Sequence, residues 1–251
     1  MEQEKSLTLS ALFTTAINLG TLALIPEASA VLSACSPALQ RTVEVALSNI
    51  GASYMTNREK QRVGNTIAYA ISIADRNIKV GRPIKQSELN GLEVEALIES
   101  LCRASAEDAQ ELKEIAYASL IGNFAFQDKF DMGALYTLAK VLKDLSKDEL
   151  LLIAALHGQD TTNYEPVYNS LLNNGDLVAG ELVNHFLSLR NHGLTIRPYP
   201  FTTNHTIGNT KLSAFGEGLC KLAELEMLDP EDCSHLKGYL DQYVQNANQS
   251  K

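Results

Sequence analysis

Three side chains that could hold a metal ion recur at helical spacing in the C-terminal part of the sequence. Glu181 and His185 are four residues apart, and His192 follows two turns later. On a helix this spacing brings a carboxylate and an imidazole to one face, and both groups are donors that Zn²⁺ accepts. No H-E-x-x-H or comparable signature accompanies them. We therefore interpret them as ordinary core or surface residues and predict no metal site.

Motifs that mark common enzyme classes are missing, because the sequence contains no G-x-S-x-G, P-loop or dinucleotide-binding fingerprint. His157 closes an apolar segment and is interpreted as a partner of the helix dipole. The cysteines lie far apart without a C-x-x-C pair, which is typical of reduced thiols in a cytosolic protein. They are Cys35, Cys102, Cys220 and Cys233. We expect no catalytic residue, no cofactor and no small-molecule ligand.

A second kind of chemistry, anion binding, is indicated by the predicted helix over 57–80. Residues 57–85 carry 7 lysines and arginines against 2 acidic residues, a net charge of +5. The basic residues of the helix fall opposite its apolar stripe, which is typical of a solvated face and is also compatible with an anion, lipid or nucleic-acid surface. We expect no exposed aromatic residue among them, so stacking on single strands is not predicted. The candidate anion or nucleic-acid surface comprises Arg58, Arg62, Arg76, Lys79, Arg190, Arg197 and Lys211.

The central stretch over 111–158 carries the clearest helical pattern and is predicted to form the core. Leucine and valine recur on one helical face between residues 135 and 145. Ser146 and Glu149 match a capping box at the start of the next helix, which is apolar on nearly all sides and therefore buried. The segment over 105–108 is expected to cap the helix that opens the stretch.

The length of 251 residues suits one large or two small domains. We predict a mainly α-helical fold with a multi-helical domain over 1–145 and a second domain over 146–251. The hydrophobic fraction of 45% and the charged fraction of 20% are those of an ordinary globular protein. A cytoplasmic location is expected.

Residues 1–36 are predicted to form a hairpin or interface segment. The run from Leu7 to Ile25 contains no charge, and Pro26 interrupts it. We interpret 7–35 as a helical hairpin that packs on the core or at a subunit interface. The alternatives are an interfacial membrane-binding helix, a signal segment and a transmembrane span, and the span is disfavoured by the serine, threonine and asparagine residues in the run.

After residue 158 the pattern predicts a helix over 177–191, short strands over 194–199 and 206–212, and a helix from Ser213. With the preceding LSKDELLLIAALHG, the segments SLRNHGLTIR and NTKLSAFGEGLCKLAE make residues 146–228 similar to the winged-helix-like C-terminal part of uncharacterised bacterial helical families. The LS-x-F-G that follows the second strand resembles the L-T-x-x-G of many bacterial regulators. The resemblance implies a winged-helix-like module with one short β-hairpin, and we expect a helix after Pro230 to close it. It implies no activity.

A winged helix that reads DNA places basic or amide side chains on its recognition helix. The predicted helix offers only Asn184, Arg190 and Asn191 for that purpose. Residues 146–251 carry 7 lysines and arginines against 13 aspartates and glutamates, a net charge of −6 that repels phosphate. Specific DNA binding through this face is therefore disfavoured.

These patterns together predict a non-enzymatic, bacterial-type helical protein that acts by protein–protein contact, as an adaptor or regulator. Its partner is another protein or a second copy of the chain, in a homodimer. One alternative is a nucleic-acid-binding regulator that uses the winged-helix-like module or the basic helix over 57–80. The other is a peripheral membrane protein that uses 7–35.

Overall fold

A reciprocal capping box starts the first described helix, α1 (Asn57–Lys79). Thr56 Oγ1 accepts a hydrogen bond from the Glu59 amide (3.3 Å), and the Glu59 carboxylate accepts one from the Thr56 amide (2.6 Å). These bonds satisfy two of the amides that a helix start leaves unpaired. The helix ends at Val80, and Gly81 follows with φ of +74°, a left-handed conformation that glycine adopts without strain.

The computed structural model of the chain describes residues 55–83, 91–127, 130–158, 177–196, 210–228 and 231. This part is mostly helical with a small two-stranded antiparallel sheet, which confirms the mainly α-helical class for the described residues. After α1 follow α2 (Gly91–Glu107), α3 (Glu111–Asn123), a 3₁₀ turn (Phe124–Phe126), α4 (Met132–Asp144), α5 (Lys147–Leu156), α6 (Leu177–Asn191), β1 (Thr195–Ile196), β2 (Lys211–Leu212), α7 (Ala214–Leu222) and a second 3₁₀ turn (Leu225–Met227).

The chain separates into two compact units, Met1–Asp144 and Leu145–Lys251. In the first unit, α1 packs mainly on α3 and also on α2, and both of these helices pack on α4. Burial of large apolar side chains supplies the main stabilisation of such an interface. The largest fully buried side chains of this unit are Leu97, Ile98, Leu101, Tyr117, Leu120, Phe124, Leu135, Leu138 and Leu142.

Two buried polar pairs lie within this apolar interface and join α1 to its neighbours. Thr66 Oγ1 is 2.5 Å from Ser105 Oγ of α2, and the side-chain Nδ2 of Asn77 donates to Asn123 Oδ1 of α3 at 2.7 Å. Each pair satisfies groups whose burial would otherwise cost free energy. The pairs therefore fix the rotation of α1 about its own axis.

The second unit is built around α5, which is the apolar helix predicted from the sequence. The predicted capping box is present, since Ser146 Oγ accepts from the Glu149 amide (3.2 Å) and the Glu149 carboxylate accepts from the Ser146 amide (2.6 Å). α5 packs on α6, α7 and β2. Strands β1 and β2 pair antiparallel with Thr195 opposite Leu212.

Ser213 then starts α7, as the sequence predicts. Its Oγ accepts a hydrogen bond from the Gly216 amide (3.0 Å) and donates one to the Gly193 carbonyl (2.6 Å). A Cβ atom at Gly216 would collide with the Leu194 carbonyl oxygen, so only glycine fits at this approach. The close contact holds the start of α7 against the end of the α6–β1 turn.

The predicted cap of α3 is wrong, and several other predictions lie outside the described residues. The segment over 105–108 does not cap α3, because Ser105 belongs to α2 and faces Thr66. The N-cap of α3 is Gln110, which makes no side-chain capping bond. The predictions on 1–36, on 7–35, on Arg197 and on a closing helix after Pro230 all fall outside the residues that the structure describes.

Candidate functional site

The outer face of α1 is the side that points away from α2 and α3, and its exposed residues include Arg58, Gln61, Tyr69, Ser72, Arg76, Lys79 and, at the C-cap, Val80. At 3.6 residues per turn, Tyr69 and Arg76 fall within about 20° of the direction of Arg58. The structure therefore brings these basic residues and an aromatic ring onto one stripe. The arginines of such a stripe can attract an anionic group of a ligand, and the tyrosine ring can contact an apolar group beside it.

Tyr69 is a functional candidate that sequence reasoning missed. It is 49% exposed, and Val80 at the end of the helix is 66% exposed. The expectation that no exposed aromatic residue lies among the basic residues is therefore wrong. The signal was available in the spacing, because Tyr69 lies eleven residues, or about three turns, after Arg58. Ser72 adds to the stripe, and its hydroxyl donates to the Tyr69 carbonyl (2.8 Å).

Arg62 has a different role from the other basic residues of α1. Its Nε donates to the Ala106 carbonyl at 3.0 Å, and its NH2 group contacts the same oxygen. Ala106 lies in the last turn of α2, where carbonyl groups lack helical partners and attract cations. Arg62 therefore joins α1 to α2 and is only half-exposed.

The remaining basic candidates belong to the second unit. Arg190, in the last turn of α6, and Lys211, in β2, are both exposed, and Arg197 is outside the described residues. The described residues show no contact that unites Arg190 and Lys211 in one site. Among the predicted basic residues that the structure describes, those on the outer face of α1 are accordingly the ones that form a continuous surface.

The structure groups Glu181 and His185 with a different third residue from the one considered in the sequence. Asp148 of α5 and Glu181 and His185 of α6 each offer a ligand atom, and these atoms lie within 4.8 Å of one another. Asp148 replaces His192, which stands in the turn after α6. Because Asp148 comes from a helix 33 residues earlier in the chain, helical spacing alone gave no signal for it.

His157, interpreted from the sequence as a partner of the helix dipole, stands at the C-cap of α5, and its side chain bridges two carboxylates. Its Nδ1 is 2.9 Å from Glu217 Oε2 and its Nε2 is 3.1 Å from Glu226 Oε2. Both ring nitrogens donate only when the ring carries two protons. Its backbone amide closes α5 by donating to the Ile153 and Ala154 carbonyls. The side chain therefore joins the end of α5 to α7 and the following 3₁₀ turn.

The described cysteines are not placed to act as nucleophiles. Cys102 and Cys220 are fully buried. Burial, with nearby carboxylates, raises the pKa of each thiol to about 12. The thiolate is the reactive form of cysteine, so these two side chains act as small apolar groups of the two cores.

Comparison of the chain with protein-family models, with curated proteins and with solved structures finds no match. Among the described helices, none is both long and apolar enough to cross a membrane.

Proposed function

We propose that this chain is a non-enzymatic, bacterial-type adaptor or regulator that docks an acidic segment of a partner protein on the outer face of α1. The observation that carries the proposal is the exposed Tyr69 on the same stripe as Arg58 and Arg76. Tyrosine and arginine supply many of the dominant contacts in protein interfaces, since each covers apolar surface and also forms directional hydrogen bonds.

The packing of α1 supports a docking role, because the helix is held before any partner arrives. Its inner side is fixed by the Thr66–Ser105 and Asn77–Asn123 pairs and by the Arg62 contact with Ala106. A surface that is already ordered loses little conformational entropy on binding. The net charge of +5 over 57–85 favours a partner segment rich in aspartate and glutamate.

Site-directed photo-crosslinking tests the docking face directly. A photo-reactive phenylalanine analogue replaces Ser72, which is exposed at the centre of the stripe, and the full-length chain is irradiated in its source cells. We expect a crosslink to an acidic segment of a protein, identified by mass spectrometry. The same analogue at Lys140, an exposed residue of α4, is the matched control and should give no such product.

Charge reversal at Arg58 completes the test. Arg58 lies in the first turn of α1, where an acidic residue suits the helix dipole, so Arg58→Glu should leave the fold intact. We expect Arg58→Glu and Tyr69→Ala to suppress the crosslink from position 72, and Lys140→Glu to leave it unchanged. A crosslink that persists in both variants, or that joins a non-acidic segment, would contradict the proposal.

Single-stranded nucleic acid is the second candidate partner, and Tyr69 is the observation that favours it. A base can stack on an exposed aromatic ring while arginines contact the phosphates. Fluorescence anisotropy with a labelled mixed-sequence RNA 20-mer distinguishes this case. Binding that weakens steeply with salt and is lost in Tyr69→Ala would replace the protein-partner proposal, whereas no binding at low salt excludes the nucleic acid.

For the second unit we infer a winged-helix-like module that packs or docks and does not read DNA. The order α6, β1, β2, α7 and the antiparallel pairing of Thr195 with Leu212 support this inference. Exposed Arg190 is offset by exposed Glu181 on the same helix. Cross-strand nuclear Overhauser effects that continue from Ile196–Lys211 toward the hairpin tip are expected, and their absence would exclude a wing.

A further inference from the structure

In the second unit, three side chains that could bind a metal ion converge from two different helices. Asp148 lies in the first turn of α5, and Glu181 and His185 lie one turn apart on α6. Their ligand atoms are within 4.8 Å of one another. A Zn²⁺ ion bound at about 2.0–2.2 Å from each atom would draw donors this close together by small side-chain rotations. The three side chains can therefore converge on one ion.

Within the part of the chain that the structure describes, neither Asp148 nor Glu181 forms an ion pair with a lysine or arginine. A third carboxylate, that of Glu149, lies 3.8 Å from His185 Nδ1. One imidazole thus faces three carboxylates, and a divalent cation would neutralise the excess negative charge.

Glu149 is held in place independently of any ion. Its carboxylate accepts from the Ser146 amide in the capping box, and Ser188 of α6 also hydrogen-bonds to it. A histidine that binds a metal through one ring nitrogen usually directs its other N–H to a carboxylate or carbonyl. Glu149 Oε1 lies 3.8 Å from Nδ1 of His185, beyond hydrogen-bonding distance, so a small rotation of the ring is needed before Glu149 can take that role and leave Nε2 as the ligand.

We propose that Asp148, Glu181 and His185 bind a divalent transition-metal ion, with Zn²⁺ as the preferred ion. The imidazole nitrogen selects against Mg²⁺ and Ca²⁺, which prefer sets made of oxygen alone. Three protein ligands leave a coordination position for water or for a group from a partner. The bound ion joins α5 to α6 and stabilises the second unit.

Calorimetric titration of the full-length, chelator-treated chain with Zn²⁺ tests the site. We expect one ion per chain and an affinity that falls by roughly 100-fold in Glu181→Gln and His185→Gln, since loss of even an indirect partner costs about 10–100-fold. The matched controls are Glu111→Gln, an exposed carboxylate of α3, and His192→Gln, the histidine that follows α6. Both controls should bind as the natural chain does.

Thermal unfolding provides a readout that does not depend on heats of binding. Zn²⁺ should raise the unfolding midpoint of the natural chain and of both controls, and should not raise that of Glu181→Gln. Because Glu181 is exposed, this variant keeps the fold intact in the absence of metal. Equal Zn²⁺ binding by every variant would place the metal elsewhere, on cysteines for example, and would overturn the assignment. Equal affinity for Mg²⁺ and Zn²⁺ would indicate non-specific attraction of cations by the carboxylates, and it would also overturn the assignment.

Discussion

A Cβ atom added at Gly122 would lie 2.7 Å from the Ala70 carbonyl oxygen, so α3 and α1 meet backbone to backbone at this point. The same atom would be 2.8 Å from Ile73 Cβ. Neither neighbour is the flexible end of a side chain, so the clash cannot be relieved by a change of rotamer. Close approach at Gly122 also brings Asn77 to Asn123, which is the adjacent residue.

Gly122→Ala should therefore destabilise the chain, although alanine favours helix more than glycine does. We expect a loss of roughly 1–3 kcal/mol in the free energy of unfolding, which is typical of overpacked cores. Gly180→Ala on α6 is the control, because among the described residues nothing lies within 4 Å of its added Cβ. It should gain roughly 0.5–1 kcal/mol. Urea unfolding of both variants checks the pair, and a stabilised Gly122→Ala would refute the close contact.

The buried Lys113 should be much more important for stability than an exposed lysine nearby. Its ammonium group lies 2.6 Å from Asp108 Oδ2 and donates to the Lys143 carbonyl (2.9 Å). Lys113→Met leaves Asp108 without its cation, and we expect a loss of about 3 kcal/mol or more. Asp108→Asn in the same chain should recover part of that loss, because the unpaired charge is removed.

Lys143→Met is the matched control for Lys113. Lys143 pairs with Glu107 at 3.0 Å, but both side chains are more than half exposed. Its substitution should cost less than about 1 kcal/mol, since solvent screens the pair. Chemical unfolding of the single and double variants gives the comparison. Similar losses in Lys113→Met and Lys143→Met would show that Lys113 is not buried as described.

Glu114 should oppose folding at neutral pH. Burial raises the pKa of its carboxyl group, although a hydrogen bond with Asn65 and the charge of Arg62 partly oppose this change. A raised folded pKa means that the folded state favours the protonated acid, so the penalty appears as pH rises above the unfolded pKa of about 4.3. Glu114→Gln should therefore be more stable than the natural chain at pH 7.

The gain from Glu114→Gln should disappear below about pH 4, where the carboxyl group is protonated in both states. Exposed Glu111, on the same helix, gives the control Glu111→Gln, which should change stability little at either pH. Urea midpoints at pH 7 and at about pH 3 provide the measurement. A Glu114→Gln variant that is less stable at pH 7 would contradict the direction of the pKa change.

The capping box at Ser146 gives a prediction about α5. Ser146→Ala removes the acceptor for the Glu149 amide, and we expect a loss of about 1 kcal/mol in the free energy of unfolding. Ser72→Ala on α1 is the control, because the Ser72 hydroxyl bonds to a carbonyl within its own helix. That variant should be neutral or slightly stabilising. Equal losses in the two variants would argue against a capping role for Ser146.

Features that depend on neighbours in the chain were predictable from the sequence. Ser146 and Glu149 are three residues apart, so their capping box could be recognised from spacing alone, and Ser213 marked the start of α7 for the same reason. Features that depend on contact with another helix could not be predicted from the sequence. Serine is a common helix cap, but the Ser105 hydroxyl is instead hydrogen-bonded to Thr66, 39 residues earlier in the chain.

The same distinction applies to the candidate sites. Arg62 has the charge and helical position of a surface residue. Its hydrogen bond to the Ala106 carbonyl depends on where α2 ends, which the pattern around Arg62 does not show. Glu181 and His185 were identified together because they share a helix, whereas Asp148 joins them only through the packing of α5 on α6. Contacts of this kind are set by the tertiary fold and leave no periodic signal in the sequence.

The two polar pairs of α1 lie on its buried side, away from the exposed stripe. Thr66 and Asn77 are about three turns apart, so turning the helix by one residue would leave both without partners. Substitutions on the opposite side do not touch these pairs. The stripe can therefore be changed while the fold is kept, and it offers a position at which a binding motif or a label can be grafted.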